Sequence, residues 1–254
     1  MLTHTFVHVP KVGYVTEQRL WGAGAETWMD ALALPGPPGG FSAGRWELLC
    51  DTLQSSLLSL QSGDHRYFCG CLHPRDHWRA YPEFRSRVAY LDIETDGLDS
   101  RNQVTVVGVY DGRRTRSYVA GENLDQFAED IARFAVLVTF NGATFDLPFL
   151  RRRFGNIFDQ LHVDLRFGLA RLGLHGGLKI IERRLGLQRG DEIADISGED
   201  AVRLWHEYRR GSGEALQLLL QYNRADVENL EPLMEIAYRR LWEHAGGKVM
   251  GDED

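Results

Sequence analysis

The feature that most constrains this chain is a set of carboxylates placed at the ends of separate hydrophobic segments. The three segments are Tyr90–Leu98, Thr139–Pro148 and Tyr222–Asp226, and together they span more than half of the 254 residues. Carboxylates that share one face repel each other unless a proton or a cation lies between them. The sequence therefore predicts a fold that collects these acids around a metal site.

The first segment has the pattern of a β-strand. An apolar run from Val88 to Ile93 ends at Thr95-Asp96-Gly97, which is a turn signal. Asp92 and Glu94 are two residues apart, so a strand points both carboxylates to the same face. Mg²⁺ prefers such oxygen ligands, and the pair indicates a divalent metal. The alternative is a strand rim that carries two solvated acids.

The second segment predicts a strand followed by a helix. The apolar run Val136–Phe140 is broken by Asn141-Gly142. Thr144 is predicted to cap the next helix, because Pro148 is tolerated in a first turn. Asp146 would then lie near the positive end of that helix, which favours its ionised form. The alternative is an acid that only stabilises its helix.

The third segment lies in a helical pattern, because apolar residues recur at helical spacing from Leu216 to Met234. Tyr222 and Asp226 are four residues apart and share one face. A phenol one turn from a carboxylate can hold a water molecule in line for attack. The alternative is an ordinary pair of surface side chains.

In order and spacing, the segments resemble the three motifs of the DEDDy 3′–5′ exonucleases, which have a ribonuclease-H-like fold. Asp92-Ile93-Glu94 is similar to the first motif and Tyr222-x-x-x-Asp226 to the third. Asn141–Leu150 is similar to the second motif in the proofreading domain of family B DNA polymerases. The segments His162–Leu165 and Gly177–Gly186 also look like that family. The nearest branch is the YprB-like ribonuclease-H-like group of bacterial proteins, and the resemblance covers Ser86 to Leu241.

The resemblance implies a site for two divalent cations, Mg²⁺ or Mn²⁺. Asp92 would bridge the two ions, and Glu94 and Asp226 would bind one each. Asp146 would support the second ion, often through water. Tyr222 would orient the nucleophile, because a phenol with a pKa near 10 is a poor base. Thr95, Asn141 and Phe145 are further candidate substrate contacts, and the alternative for Asn141 is a contact with the loop after the strand.

The charge of the chain offers nucleic acid no general attraction, since the net charge is −7. A nuclease would have to rely on local basic runs, which are Arg113-Arg114-x-Arg116, Arg151–Arg153, Arg183-Arg184 and Arg209-Arg210. Arg151 is the candidate substrate contact, because its run lies on the helix that begins near Asp146. The alternative for each run is a solvated helix face.

The remaining patterns predict an α/β fold, a ribonuclease-H-like mixed β-sheet flanked by helices. The strand candidates are Arg87–Glu94, Val104–Tyr110, Thr115–Val119, Val136–Phe140 and His162–Leu165. The first three suggest an antiparallel meander, and a helix at Leu124–Phe134 suggests a crossover to the fourth. Later helices are predicted at Leu178–Leu185, Glu199–Arg209 and Glu214–Trp242, the last with Tyr222 and Pro232 as candidate break points.

The chain is predicted to have a small, mostly helical N-terminal region at 1–85, a catalytic domain at 86–245 and a flexible tail at 246–254. Pro35–Gly40 is a predicted loop between helices near Glu17–Leu34 and Arg45–Leu60. Val9–Gly24 resembles a degenerate helix-hairpin-helix with Lys11 where Gly is common. The alternative is a small helical cap packed on the catalytic domain.

The three cysteines do not form a disulfide framework, and they suit a reducing cytoplasm. Cys69-x-Cys71-x-His73 invites a zinc interpretation, but its spacing is not that of a zinc finger, and idle thiols are the alternative. No stretch is long enough to cross a membrane, and the N-terminus lacks the pattern of a signal peptide. We therefore expect a cytoplasmic protein.

These patterns favour a stand-alone, metal-dependent 3′–5′ exonuclease that acts on single-stranded ends of DNA or RNA. One alternative is a structure-specific endonuclease on the same fold. Another is a nucleic-acid-binding module with little turnover. The sequence gives no protein partner and does not choose between DNA and RNA, because contacts to the 2′-hydroxyl come from backbone geometry.

Overall fold

The computed structural model describes residues 2–97, 99 and 101–247. It divides into two compact units. Unit 1 contains the chain up to Arg85, the segment Asp159–Leu161 and the chain from Tyr238 onward, and unit 2 contains Ser86–Phe158 and His162–Ala237. Most of the predicted tail lies outside the described residues. No helix in the described part is both long and apolar enough to cross a membrane.

A mixed β-sheet forms the centre of unit 2. Its strands are β1 (Val88–Thr95), β2 (Val104–Tyr110), β3 (Thr115–Val119), β4 (Val136–Thr139) and β5 (Leu161–Asp164). The five strands lie in the order β3-β2-β1-β4-β5. β2 pairs antiparallel with both β1 and β3, which is the expected meander, and β1 pairs parallel with β4. The predicted mixed α/β sheet is therefore confirmed.

Most of the helices lie near predicted ranges, whereas those at His65–Cys71 and Leu165–Ala170 were not predicted. They are α1 (Tyr14–Gly22), α2 (Trp28–Ala33), α3 (Ala43–Gln61), α4 (His65–Cys71), α5 (Phe127–Ile131), α6 (Asp146–Phe154), α7 (Leu165–Ala170), α8 (Leu178–Leu185), α9 (Gly198–Arg209) and α10 (Gly213–His244). Four short 3-10 helices lie at Leu2–His4, Pro74–Ala80, Arg85–Arg87 and Leu124–Gln126.

Two helix predictions need correction. The single helix expected at Glu17–Leu34 is two helices, because Thr27 caps a new one and its side chain accepts a hydrogen bond from the N–H of Asp30. The last helix is unbroken, since α10 continues through Tyr222 and Pro232. Its length matters for function, because both residues of the third motif are fixed on one rigid element.

The alternation of side chains along β1 sends its two faces to different helix layers. Ala89, Leu91 and Ile93 lie in a core that includes residues of α5 and α6. A second core contains residues of β2, β3, α9 and α10. Asp92 and Glu94 alternate with the first set, so they point toward the α10 side. Helices thus cover both faces, and the two acids lie beneath α10.

Unit 1 is organised around a buried arginine. Arg79 is 1% exposed and its guanidinium lies 3.2 Å from the Glu17 carboxylate and 3.3 Å from the Asp76 carboxylate.

Lys11 has a φ of 65°, the left-handed conformation for which Gly is common. Among the described residues before Lys11, the helical segment is the 3-10 helix Leu2–His4, and a longer helix at Tyr14–Gly22 follows Lys11. The helix-hairpin-helix stays a prediction for this segment.

Gly108 of β2 allows α10 to approach the sheet closely. It pairs with Asp92 in the strand register. A Cβ atom on Gly108 would lie only 2.0 Å from Oδ1 of Asn223 on α10. No side chain fits at this distance without moving Asn223, so the glycine is required by packing.

We predict that Gly108→Ala lowers the free energy of unfolding by about 1–3 kcal/mol, which is the usual cost of overpacking a core. Urea denaturation would measure the loss. Gly213→Ala is the matched control, because Gly213 begins α10 and no atom lies within 4 Å of its hypothetical Cβ. Equal stability of the two variants would contradict the close approach.

Candidate functional site

Three of the predicted acids meet where β1 lies beneath α10. Asp92 and Glu94 come from β1 and Asp226 from α10. One carboxylate oxygen from each lies within 4.8 Å of the other two. Glu94 and Asp226 are buried and Asp92 is half-buried. In the part of the chain that the structure describes, no other set of His, Cys, Asp or Glu side chains is grouped in this way.

Asp146 joins this centre from the opposite direction, as the first residue of α6. Its side chain is 2% exposed and its carboxylate accepts a hydrogen bond from the backbone N–H of Ile93, which lies between Asp92 and Glu94 on β1. Oδ1 of Asp146 is buried and has no hydrogen-bond partner among the described residues. A buried oxygen of this kind is available to a ligand.

The loop that delivers Asp146 differs from the prediction for Thr144. Phe145 occupies the N-cap of α6, and it makes no side-chain cap hydrogen bond. The Thr144 hydroxyl instead donates to Oδ1 of Asn141 at 2.7 Å. Asp164 organises the loop, because its carboxylate accepts the N–H groups of Asn141 at 2.8 Å and Ala143 at 3.0 Å. Asn141 has a φ of 68°, which is the left-handed conformation, and its side chain accepts the Thr144 hydroxyl that was expected to cap the helix.

Burial and mutual repulsion raise the pKa values of all four acids. The pKa of Asp92 and that of Glu94 lie well above their usual values, first because of burial and then because of the charge of Asp226. Burial raises the pKa of Asp146 to about 7 and that of Asp226 to about 6, although Arg189 lowers the latter. Without a cation, the centre therefore retains protons near neutral pH.

Asn223 was not among the predicted site residues, yet it joins both acids of β1. Its amide nitrogen donates to Oδ2 of Asp92 at 3.0 Å and to Oε1 of Glu94 at 3.4 Å. The side chain is fully buried. Its spacing of three residues from Asp226 places the two on one helix face, so the helical pattern could have identified it.

Arg189 is a second residue that the sequence did not reveal. Its Nη2 contacts Oδ1 of Asp226 in an ion pair, and its Nε donates to Oε2 of Glu182 at 2.7 Å. The Arg189 side chain is 5% exposed and Glu182 is 2% exposed. Arg189 lies after α8, in a segment without motif spacing, so no pattern pointed to it.

A cavity of about 440 Å³ opens beside the acids. Its lining includes Asp92, Asp226 and Tyr222, together with Lys179 and Arg183 of α8. Nζ of Lys179 lies 5.0 Å from the centre of the Tyr222 ring. Burial, together with the charges of the nearby acids, raises the pKa of Tyr222, so its phenol stays protonated. The cavity thus combines anionic, cationic and hydrogen-bonding groups.

The four predicted substrate contacts lie outside this cavity, whose described lining includes none of them. Oδ1 of Asn141 accepts a hydrogen bond from Arg166 at 2.6 Å, in addition to that from Thr144. The Thr95 hydroxyl donates to the Gly97 carbonyl at 2.6 Å. The ring of Phe145 packs on Phe149, with centroids 4.9 Å apart, and Arg151 is exposed on α6. Three of the four residues, Thr95, Asn141 and Phe145, therefore contact other residues of the protein.

The cysteine segment considered for zinc makes local contacts in unit 1. Sγ of Cys69 lies 3.6 Å from the carbonyl oxygen of Gln160, and Sγ of Cys71 lies 3.8 Å from that of Phe68. Burial raises the pKa of the Cys71 thiol to about 11, so it is neutral at physiological pH. These contacts favour the interpretation as idle thiols.

The raised acid pKa values predict an unusual pH dependence for the metal-free protein. In the unfolded chain the carboxyls titrate near pH 4, whereas the folded centre holds protons up to about pH 7. The folded state therefore binds more protons in this window, and stability falls as pH rises. We expect the melting temperature in EDTA to fall from pH 5.5 to 7.5 by about 3–5 °C per pH unit for each retained proton.

Asp146→Asn is the control, because it removes one titrating acid with little change in shape. Its melting temperature should depend less steeply on pH than that of the parent protein. A melting temperature in EDTA that is constant or rises between pH 5.5 and 7.5 would contradict this account of the acids.

Among the comparisons with known proteins, a family model identifies the superfamily of this chain. A search of curated proteins found no match. Among solved structures, the family B DNA polymerase from the hyperthermophilic archaeon Pyrobaculum calidifontis is similar, with a TM-score of 0.47 and 18% identity over 59% of this chain. The similarity covers 24% of that polymerase, about a quarter of its length. The sequence model of the RNase H superfamily matches residues 89–238, which include every acid of the centre and Tyr222. More than half of the chain fits this model, and the protein belongs to the RNase H superfamily.

Proposed function

We propose that this protein is a metal-dependent 3′–5′ exonuclease that hydrolyses phosphodiester bonds at single-stranded nucleic acid ends. Membership of the RNase H superfamily supports a nuclease. The observation that carries the proposal is the meeting of Asp92, Glu94 and Asp226 within 4.8 Å beside Asp146. The resemblance of the ordered motifs to the DEDDy exonucleases supports the exonuclease mode and its direction.

The donor set fits two divalent cations, Mg²⁺ or Mn²⁺. Every candidate ligand is a carboxylate, and hard oxygen ligands suit both ions. Asp92, Glu94, Asp146 and Asp226 would hold the pair, and the buried Oδ1 of Asp146 has no protein partner in the described chain that would compete. Cations at such a centre stabilise the charge that develops on a phosphate and lower the pKa of the attacking water.

Tyr222 would act as a hydrogen-bond donor that orients the nucleophile. Its raised pKa excludes proton abstraction at neutral pH, because an ionised phenol beside Asp226 is strongly disfavoured. The ring lines the same cavity as Asp92 and Asp226. Asn223 would keep the acids of β1 in place while substrate is exchanged.

The cavity suggests how an acidic protein binds a polyanion. Lys179 and Arg183 of α8 line the same cavity as the acids. Nζ of Lys179 also donates to the carbonyl of Ile196, which fixes the chain that forms the adjoining wall. These cations would bind phosphate and direct a strand end toward the acids. Arg151 stays a proposed outer contact, because it is exposed on the helix that carries Asp146.

The first test is cleavage of single-stranded DNA and RNA that are labelled at the 5′ end. With Mg²⁺ or Mn²⁺ we expect a ladder of products that shortens from the 3′ end, and no reaction in EDTA. Asp92→Ala should lower the rate at least about a thousandfold, since it removes the central ligand. A few fixed internal products would indicate an endonuclease, and the absence of any cleavage would indicate a binding module.

The role of Tyr222 predicts a separate result. Tyr222→Phe should lower kcat by about 10–100-fold, because one positioned hydrogen bond to the nucleophile is lost. Mn²⁺ affinity and the shape of the pH–rate profile should be unchanged, since the phenol is neither a metal ligand nor a base. Tyr208→Phe is the matched control, because this phenol is exposed and bonds to Glu122 at 2.7 Å. If Tyr222→Phe removed the acidic limb of the pH–rate profile, the ionised phenol would be acting as a base, and the orienting role would be refuted.

A further inference from the structure

Asp226 already has a cationic partner within the protein. The Nη2 atom of Arg189 contacts Oδ1 of Asp226, and Asp226 is one of the three acids whose carboxylates are grouped. We propose that Arg189 is a positioning residue that holds Asp226 in the metal-free protein and competes with a divalent cation for it. The inference rests on the metal centre of the proposed function, and it adds a determinant of metal affinity.

Arg189 is held in place independently of Asp226. Its guanidinium makes a two-point contact with Glu182, from Nε to Oε2 at 2.7 Å and from Nη2 to Oε1 at 2.9 Å. Asn229 of α10 donates to Oε1 of Glu182 at 2.9 Å. Two-point contacts fix both the position and the plane of a guanidinium. Arg189 would therefore remain beside the centre after a cation has taken Asp226.

The charge of Arg189 is permanent under ordinary conditions. Glu182 and Asp226 both raise its pKa further, although burial opposes them. Arginine does not lose its proton in proteins, so the competition cannot be relieved by deprotonation. One amino group of Arg189, Nη1, is buried and has no hydrogen-bond partner among the described residues. Nη1 of Arg189 thus has unused hydrogen-bonding capacity, as expected of a group that lies beside a charged site.

The acids of the centre consequently have different partners. Asp92 and Glu94 are joined by the neutral amide of Asn223, whereas Asp226 is paired with a full positive charge. A cation that binds Asp226 must offset its repulsion by Arg189, and one that binds the acids of β1 meets a neutral donor. Arg189 should therefore stabilise the metal-free protein and weaken cation binding at Asp226.

Direct measurement of Mn²⁺ binding to the full-length protein tests this inference without measuring activity. Electron paramagnetic resonance would count free and bound Mn²⁺ for the parent protein, Arg189→Gln and Arg189→Lys. We expect Arg189→Gln to bind Mn²⁺ at least about tenfold more tightly, because a unit charge a few ångströms away is removed. Its melting temperature in EDTA should fall. Arg189→Lys keeps the charge and should bind within about threefold of the parent.

Arg224→Gln is the matched control. It removes one arginine charge from α10 two residues before Asp226, but Arg224 is exposed and pairs with Glu228 at 2.7 Å. Its Mn²⁺ affinity should equal that of the parent. Asp226→Asn should weaken binding in every background, which assigns the measured ion to this centre.

Arg189→Gln leaves Glu182 buried without its ionic partner, so a second pair of variants removes this risk. In this pair, Glu182→Gln is compared with the double variant Glu182→Gln/Arg189→Gln. Position 182 carries no charge in either protein, so removing Arg189 leaves no unpaired carboxylate there. The double variant should bind Mn²⁺ more tightly than the single one. Equal or weaker Mn²⁺ affinity after loss of Arg189 overturns the inference while leaving the metal centre intact. Absence of Mn²⁺ binding in every variant overturns both, and binding only after loss of Arg189 supports the competition.

Discussion

The repulsion among four carboxylates, three of them buried and one half-buried, is the constraint on which the rest of this structure depends. Asp92, Glu94, Asp146 and Asp226 reach one end of β1 from three elements, and burial raises the pKa of each. Removing charges from water is costly unless they are paired, protonated or bound to metal. The fold therefore holds its acids in a state that cations can stabilise, and the surrounding side chains limit the cost while no cation is bound.

The amide of Asn223 and the guanidinium of Arg189 lower the free-energy cost of burying the acids, and each depends on a further contact. Asn223 can donate to both acids of β1 only because Gly108 has no side chain to displace it. Arg189 is held beside Asp226 because its Nε and Nη2 atoms donate to Glu182. Some polar atoms nevertheless stay buried without a partner among the described residues, including Oδ1 of Asn223 and Oδ1 of Asp146. An unpaired buried polar atom lowers the stability of an ordinary core, whereas at a ligand site the same atom is available to bind the ligand.

The parts of this fold that could be predicted are those that local pattern determines. The strands from Val88 to Val119 follow from short apolar runs between turn signals, and Leu178–Leu185 was predicted to the residue from its helical spacing. The acids were predicted as a set from three motifs whose order and spacing resemble those of the DEDDy exonucleases. Arg189 was not, because its pairing with Asp226 joins residues far apart in sequence that only the folded chain brings together. Thr144 was expected to cap α6, but its hydroxyl instead donates to Oδ1 of Asn141, whose backbone is left-handed.

The same distinction between local pattern and folded geometry applies to substrate binding. A net charge of −7 repels a polyanion at long range, but salt screens exposed charges beyond about 10 Å. Binding is then decided by groups within the cavity, whose lining includes Lys179 and Arg183 together with Asp92 and Asp226. Arginine runs in the sequence are only a partial guide to such groups. Arg183 belongs to one of these runs and lines the cavity, whereas Arg153 of another run pairs with Asp125 at 2.5 Å on the surface. A phosphate in this cavity would meet both cations and metal-binding carboxylates, and this combination favours a phosphate that lies next to the metal centre.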